Sequence, residues 1–82
     1  MHLEILTPDK KVYLGEVTSV NLPGTVGPFE VLNNHAPLIS TLEKGSIKIK
    51  NYNQIEEIIK IDGGVVEVLN NNIIVLAEAV LI

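Results

Sequence analysis

Ser46-Ile47-Lys48-Ile49-Lys50 alternates without a break, isoleucines on one side and lysines on the other. A period of two marks a strand with one face in a core and one in water. Downstream, Asn51-Tyr52-Asn53-Gln54 leads to residues 55–61, where the alternation slips once at Ile58-Ile59, as a bulge or a doubly covered strand would make it. Asp62-Gly63 reads as a turn, 64–69 as a strand, and Asn70-Asn71-Asn72 as another turn. Ile73-Ile74-Val75-Leu76-Ala77 is apolar on both faces, and Val80-Leu81-Ile82 ends the chain in more apolar residues. The second face is either covered from within or left for a partner.

Upstream, Glu43-Lys44-Gly45 reads as a turn after an apolar strand at 38–42. Strands are also expected at 2–7, 11–14, 16–22 and 29–32, separated by Thr7-Pro8-Asp9-Lys10, by Gly15 and by Pro23-Gly24. About nine or ten short strands result, with connections too short for parallel crossovers through helices. The expected fold is all-β, a small antiparallel β-sandwich or flattened barrel, forming one domain over 1–82.

Composition agrees. Ile, Leu and Val number 11, 10 and 10 of the 82 residues, while alanine appears three times and arginine not at all. Such a set favours strands over helices. Scaling with mass puts the folded surface at roughly 4,800 Å², against roughly 12,900 Å² for the extended chain. With no cysteine, neither disulfides nor thiolate metal sites enter. A net charge of −4 with lysine as the only fixed cation argues against nucleic acid as a partner. No apolar run reaches the length of a spanning helix, so direct membrane insertion is not expected, and Met1-His2-Leu3 lacks the pattern of a signal peptide.

Chemistry is hard to assemble from these residues. His2 reads as a solvated strand end, and His35 as a loop histidine whose ring donates to a nearby carbonyl, without a second ligand at zinc spacing. Glu56 and Glu57 are adjacent on a strand and face opposite sides. Ser19, Ser40 and Ser46 sit outside any nucleophile elbow. Gly24-Thr25-Val26-Gly27-Pro28 lacks the lysine of a phosphate loop. No catalytic residue, cofactor or metal is assigned. One alternative is a carrier domain of lipoyl or biotinyl type with Lys44 displayed on a turn, although the residues that flank a modified lysine there are missing.

The stretch that periodicity leaves unexplained carries a resemblance. Pro23-Gly24, Gly27, Phe29, Val31-Leu32 and His35-Ala36-Pro37-Leu38 resemble the amino-terminal domain of the epsilon subunit of F-type ATP synthase, which reads approximately Pro-Gly-x-x-Gly-x-Phe-Gly-Val-Leu-Pro-Gly-His-Ala-Pro-Leu. Leu42-x-x-Gly45-x-x-x-Ile49, Gly63-Gly64-x-x-Glu67-Val68 and Val75-Leu76-Ala77-Glu78 extend the likeness over essentially the whole chain. Glu30 stands where the family has glycine, and Asn33-Asn34 where it has Pro-Gly; asparagine at 34 tolerates the left-handed backbone that a glycine would take.

The resemblance implies a non-catalytic central-stalk subunit, held at the cytoplasmic face of a bacterial cell membrane. It would couple the gamma subunit to the c-ring beneath the alpha/beta catalytic head, with protons or sodium as the coupling ion. By the same likeness, Gly27, Pro28, Phe29 and Glu30 are expected to face the ring. His35, Ala36, Leu38 and Ser40 are expected to face gamma. Pro23, Gly24, Asn34, Pro37, Gly45, Gly63 and Gly64 are expected to shape turns. Long-form members add two carboxy-terminal helices that in several of them regulate hydrolysis; a chain that stops at Ile82 is expected to be either a naturally short form or a longer one truncated before those helices.

Overall fold

A computed structural model describes residues 1–81. Seven strands form among them: β1 (His2–Leu6), β2 (Lys11–Leu22), β3 (Phe29–Leu32), β4 (Leu38–Asn51), β5 (Glu56–Leu69), β6 (Asn72–Ala77) and β7 (Val80–Leu81). The all-β expectation holds; the count does not. Nine expected segments become six because three pairs fuse, 11–14 with 16–22, 38–42 with 46–50, and 55–61 with 64–69, and β7 adds one more. The folded surface is 4912 Å², close to the value expected from mass.

The fusions have a common cause. Gly15, Gly45 and the Gly63-Gly64 pair, expected at strand ends and turns, each lie inside a continuous strand. At Gly45 and Gly63-Gly64 the inward set changes parity, so that one strand serves two sheet surfaces; in β2 that shift falls between Val17 and Ser19, not at Gly15. In β5 the inward positions are Ile59, Ile61 and Gly63 up to the pair's first glycine, and Val66 and Val68 beyond it. Positive φ at Gly63 and Gly64, 113° and 157°, resets the alternation. β4 makes the same switch, from Leu42 to Ile47 and Ile49. Lys44 therefore sits in mid-strand opposite Asp62, not on the hairpin tip that a carrier lysine needs.

The Ile58-Ile59 slip is not a bulge. Pairing of β4 with β5 keeps one register from Leu38↔Val68 to Lys50↔Glu56, and Ile58 simply faces outward across from Lys48. Pro23-Gly24 also differs from expectation. Gly24 bridges Leu42, and the turn itself is Gly24 to Gly27, closed by the Gly27 amide donating to the Gly24 carbonyl at 3.0 Å.

The long strands roll the sheet into a closed ring, β1-β6-β5-β4-β2 and back to β1, with β3 added beside β2 and β7 beside β5. All pairs are antiparallel except β1 with β6, which meet in parallel and close the ring. Inside lie Leu3, Ile5, Val17, Val20, Leu22, Ile47, Ile49, Ile61, Val66, Ile73 and Val75, all at most 1% exposed, and no polar side chain among the described residues is buried with them. Their burial is the main stabilising term, about 25 cal/mol per Å² of apolar surface removed from water.

Candidate functional site

β6 is where the apolar surplus can be sorted. Ile73, Val75 and Ala77 point into the core, while Ile74 and Leu76 point outward. Register places their neighbours on the same outer face: Val65 between Thr41 and Leu76, and Glu67 between Ile39 and Ile74. Ile39 is 72% exposed, Leu76 54% and Val65 39%. Leu69, two residues beyond Glu67 on β5, is also exposed. Nothing among the described residues covers this face. It holds two shallow depressions, of about 240 Å³ and 420 Å³, sharing Ile39 and Glu67.

The residues that the sequence points to lie in and beside two turns at opposite ends of β3, reaching into β3 itself and the start of β4. At one end, Gly27, Pro28 and Glu30 are exposed and Phe29 is half-buried against the core. Glu30 pairs with Asn21 in an ordinary extended conformation, so a side chain there costs nothing that the family glycine would have avoided. Thr25 ties this turn to β4, its amide donating to the Thr41 carbonyl at 3.1 Å and its hydroxyl meeting that of Thr41 at 2.7 Å. Val26, at the tip, is fully exposed.

At the other end, a turn runs from Leu32 to His35, whose amide donates to the Leu32 carbonyl at 3.2 Å. Asn34 takes φ 63° there, the left-handed conformation expected of it. The Nδ1–H of His35 donates to the Ala36 carbonyl at 2.8 Å, the carbonyl contact expected from the sequence. His35 is half-buried, and Ala36 and Pro37 are exposed. Leu38 packs against the core, and Ser40, on the same side of β4, donates its hydroxyl to the Thr41 carbonyl at 3.1 Å. Between them Ile39 takes the outward position. Sequence reading missed Ile39, Val65 and Leu69; only the surplus at Ile74 and Leu76 hinted at the face to which all five belong.

Asn71 holds this second turn in place. Asn70 and Asn71, at φ 51° and 64°, form the two-residue hairpin between β5 and β6. The Asn71 side chain accepts from the Asn34 amide at 2.8 Å and donates to Asn33 Oδ1 at 2.7 Å. Asn71→Gly keeps the left-handed backbone and removes both contacts. It is expected to cost about 1 kcal/mol and to speed amide exchange at Asn34 about tenfold, read by hydrogen exchange. Unchanged exchange would mean that the turn holds its own shape.

Burial, and then the nearby Glu57 carboxylate, push the phenol of Tyr13 on β2 above its ordinary value. Among the described residues no three His, Asp or Glu side chains gather in a way that could hold a metal ion. Nor is any helix long and apolar enough to cross a membrane.

Comparison with known proteins agrees with this geometry. The family described as the ATP synthase delta/epsilon chain, beta-sandwich domain, matches residues 1–82. The chain belongs to that family.

Its sequence is 47% identical over 78 residues to the ATP synthase epsilon chain of Sulfurimonas denitrificans, and 42% identical over 78 residues to that of Campylobacter curvus. Each alignment takes in 95% of this chain but 60% of the relative. The chain thus spans about three-fifths of the length of these relatives. The Chlorobium limicola epsilon chain, 41% identical, is covered to 89%. Among solved structures, a chain of the Euglena gracilis mitochondrial ATP synthase, in its OSCP/F1/c-ring assembly, superposes with a TM-score of 0.90 at 16% identity, over 96% of this chain and 51% of that one. A central stalk/c-ring structure of the Tetrahymena thermophila enzyme gives 0.81 at 17% identity, over 98% of this chain and 64% of that one. At such identities the superpositions speak to the fold. The family fold is the ring of bent strands described above.

Proposed function

We propose that the chain is a non-catalytic central-stalk subunit of a bacterial F-type ATP synthase that translocates protons or sodium, coupling the gamma subunit to the c-ring at the cytoplasmic face of the cell membrane. The observation that carries this reading is the family match, which runs through residues 1–82. The apolar outer face of β4, β5 and β6 supports it, since a rotor subunit needs a gripping surface and no reacting group. Torque transfer asks for a stiff body. Bent strands shared between two sheet surfaces, around an apolar core, supply one.

In this reading the turn with Gly27, Pro28, Phe29 and Glu30 meets the polar loops of the c-ring. Phe29 contributes mainly by anchoring the turn to the core. The side with His35, Ala36, Leu38 and Ser40 lies toward gamma. There His35, Leu38 and Ser40 shape the turn and strand, and Ile39, Val65 and Leu76 offer the contact area. The alpha/beta head belongs to the same complex and holds the nucleotide chemistry.

The test is binding to purified gamma subunit of the same organism, with ATP-driven ion pumping by the reassembled complex as the second readout. Glu30→Lys is expected to leave gamma binding unchanged and to lower pumping per ATP hydrolysed severalfold. The reading is overturned if the folded chain does not bind gamma, or if complexes lacking it pump as well as complexes containing it.

A further inference from the structure

The bare face is not uniformly apolar, and the acid at its centre is informative. Glu67 projects from the middle of β5, flanked across the sheet by Ile39 on β4 and Ile74 on β6. Along its own strand, Val65 and Leu69 flank it two residues away on the same face. The carboxylate is thus ringed by four aliphatic side chains. Cross-strand neighbours lie about 5 Å apart, close enough for one docked surface to cover all of them.

A second acid on the same face gives the contrast. Glu4 pairs with Ile74 from the other side, one strand further round the ring. Its carboxylate meets Lys11 Nζ at 3.3 Å, so its charge is answered within the chain. The other acid–base contact among the described residues is His2 Nδ1 with Glu16 at 2.8 Å. Glu67 takes part in neither, nor in any hydrogen bond of the described residues' side chains.

Solvation satisfies Glu67 only while the face is wet. A partner that covers Ile39, Ile74 and Leu76 takes water from the carboxylate at the same time. An ionised group stripped of water and left unpaired is strongly unfavourable, whereas one met by a cation is held and oriented. We propose that the partner surface seated on this face is apolar with a single lysine or arginine at its centre, and that this cation pairs with Glu67 and sets the register of docking. The proposal rests on the stalk reading, so the occupant is the gamma subunit. A second copy of this chain fits poorly. A two-fold interface through the same face would bring two Glu67 carboxylates into one desolvated patch, where like charges repel.

The experiment titrates the whole chain and its variants against full-length gamma at several salt concentrations. Glu67→Gln keeps the shape and removes the charge, and it lies on an exposed surface, so its melting curve is expected to match the parent's. Affinity is expected to fall at least tenfold with Glu67→Gln and at least a hundredfold with Glu67→Lys. Replacing one lysine or arginine of gamma by glutamate is expected to restore binding to Glu67→Lys by tenfold or more while weakening binding to the parent chain. Equal or tighter binding by a folded Glu67→Gln would overturn the proposal and leave the stalk reading intact. Failure of the parent chain to bind gamma would overturn the stalk reading itself, and the proposal with it. A stable homodimer in sedimentation, lost on replacing Leu76 by aspartate, would assign the face to a second copy and also overturn the proposal.

Discussion

Gly64→Ala is expected to destabilise the domain by about 3 kcal/mol or more, and to lower its melting temperature by roughly 12 to 24 °C. The reason is local and steric. A Cβ at Gly64 would overlap the Leu76 carbonyl oxygen and lie 3.0 Å from Ala77 Cα, on a strand paired through Gly64↔Ala77. Neither contact is the far end of a flexible side chain, so relief requires β5 and β6 to separate. The φ of 157° adds strain for any L side chain. Gly27→Ala provides the control. Gly27 also has a positive φ, 146°, but a Cβ there meets nothing within 4 Å, so the cost is backbone strain alone, about 1 kcal/mol. Thermal unfolding followed by circular dichroism measures both. A Gly64→Ala melt within a few degrees of the parent would show that the two strands are not held together at this corner.

Leu76→Asp separates folding from docking. The side chain is more than half exposed on the outer face, so stability is expected to change by about 0.5 kcal/mol or less. Affinity for gamma is expected to fall by about 2 kcal/mol or more, roughly 30-fold, since a second carboxylate enters a surface that already holds Glu67. The neighbouring Val75 has no exposed surface, and Val75→Asp is expected to prevent folding because the buried charge has no partner. Adjacent positions on one strand thus predict opposite readouts, binding for one and melting for the other. If Leu76→Asp bound gamma like the parent, the outer face of β6 would not be part of the interface.

Much of this arrangement is legible along the chain. Period-two runs such as 46–50 identify strands and their inward residues, because alternation of side chains is a local property of extended backbone. Asn34 and the Asn70-Asn71 hairpin are legible for a similar reason. Asparagine is one of the few residues that take a left-handed conformation cheaply, and φ at all three positions is positive. The Gly27 to Glu30 and His35 to Ser40 segments stand out because their punctuation fits no regular period, which draws attention to the two turns flanking β3.

The glycines misled for a physical reason. Gly45 and Gly63-Gly64 carry the same local signal whether the chain reverses there or a strand turns a corner. Hydrogen bonds to neighbouring strands decide between these outcomes, and Gly64 keeps its pairing on both sides, with Leu42 and with Ala77. No stretch of sequence around residue 64 contains that information.

The apolar surplus of β6 divides along the same line. By itself the sequence determined an all-β chain, its extended segments, the inward set of the 46–50 run and the left-handed backbone at Asn34. All follow from steric and solvation preferences that act within a few residues. Only the tertiary structure decided which of the two apolar faces of β6 is sealed in the core and which is left bare. That outcome depends on what the rest of the chain lays across each face. Ile73, Val75 and Ala77 meet the core, while Ile74 and Leu76 meet only their sheet neighbours, Glu67 and Val65 on β5 and Glu4 and Leu6 on β1.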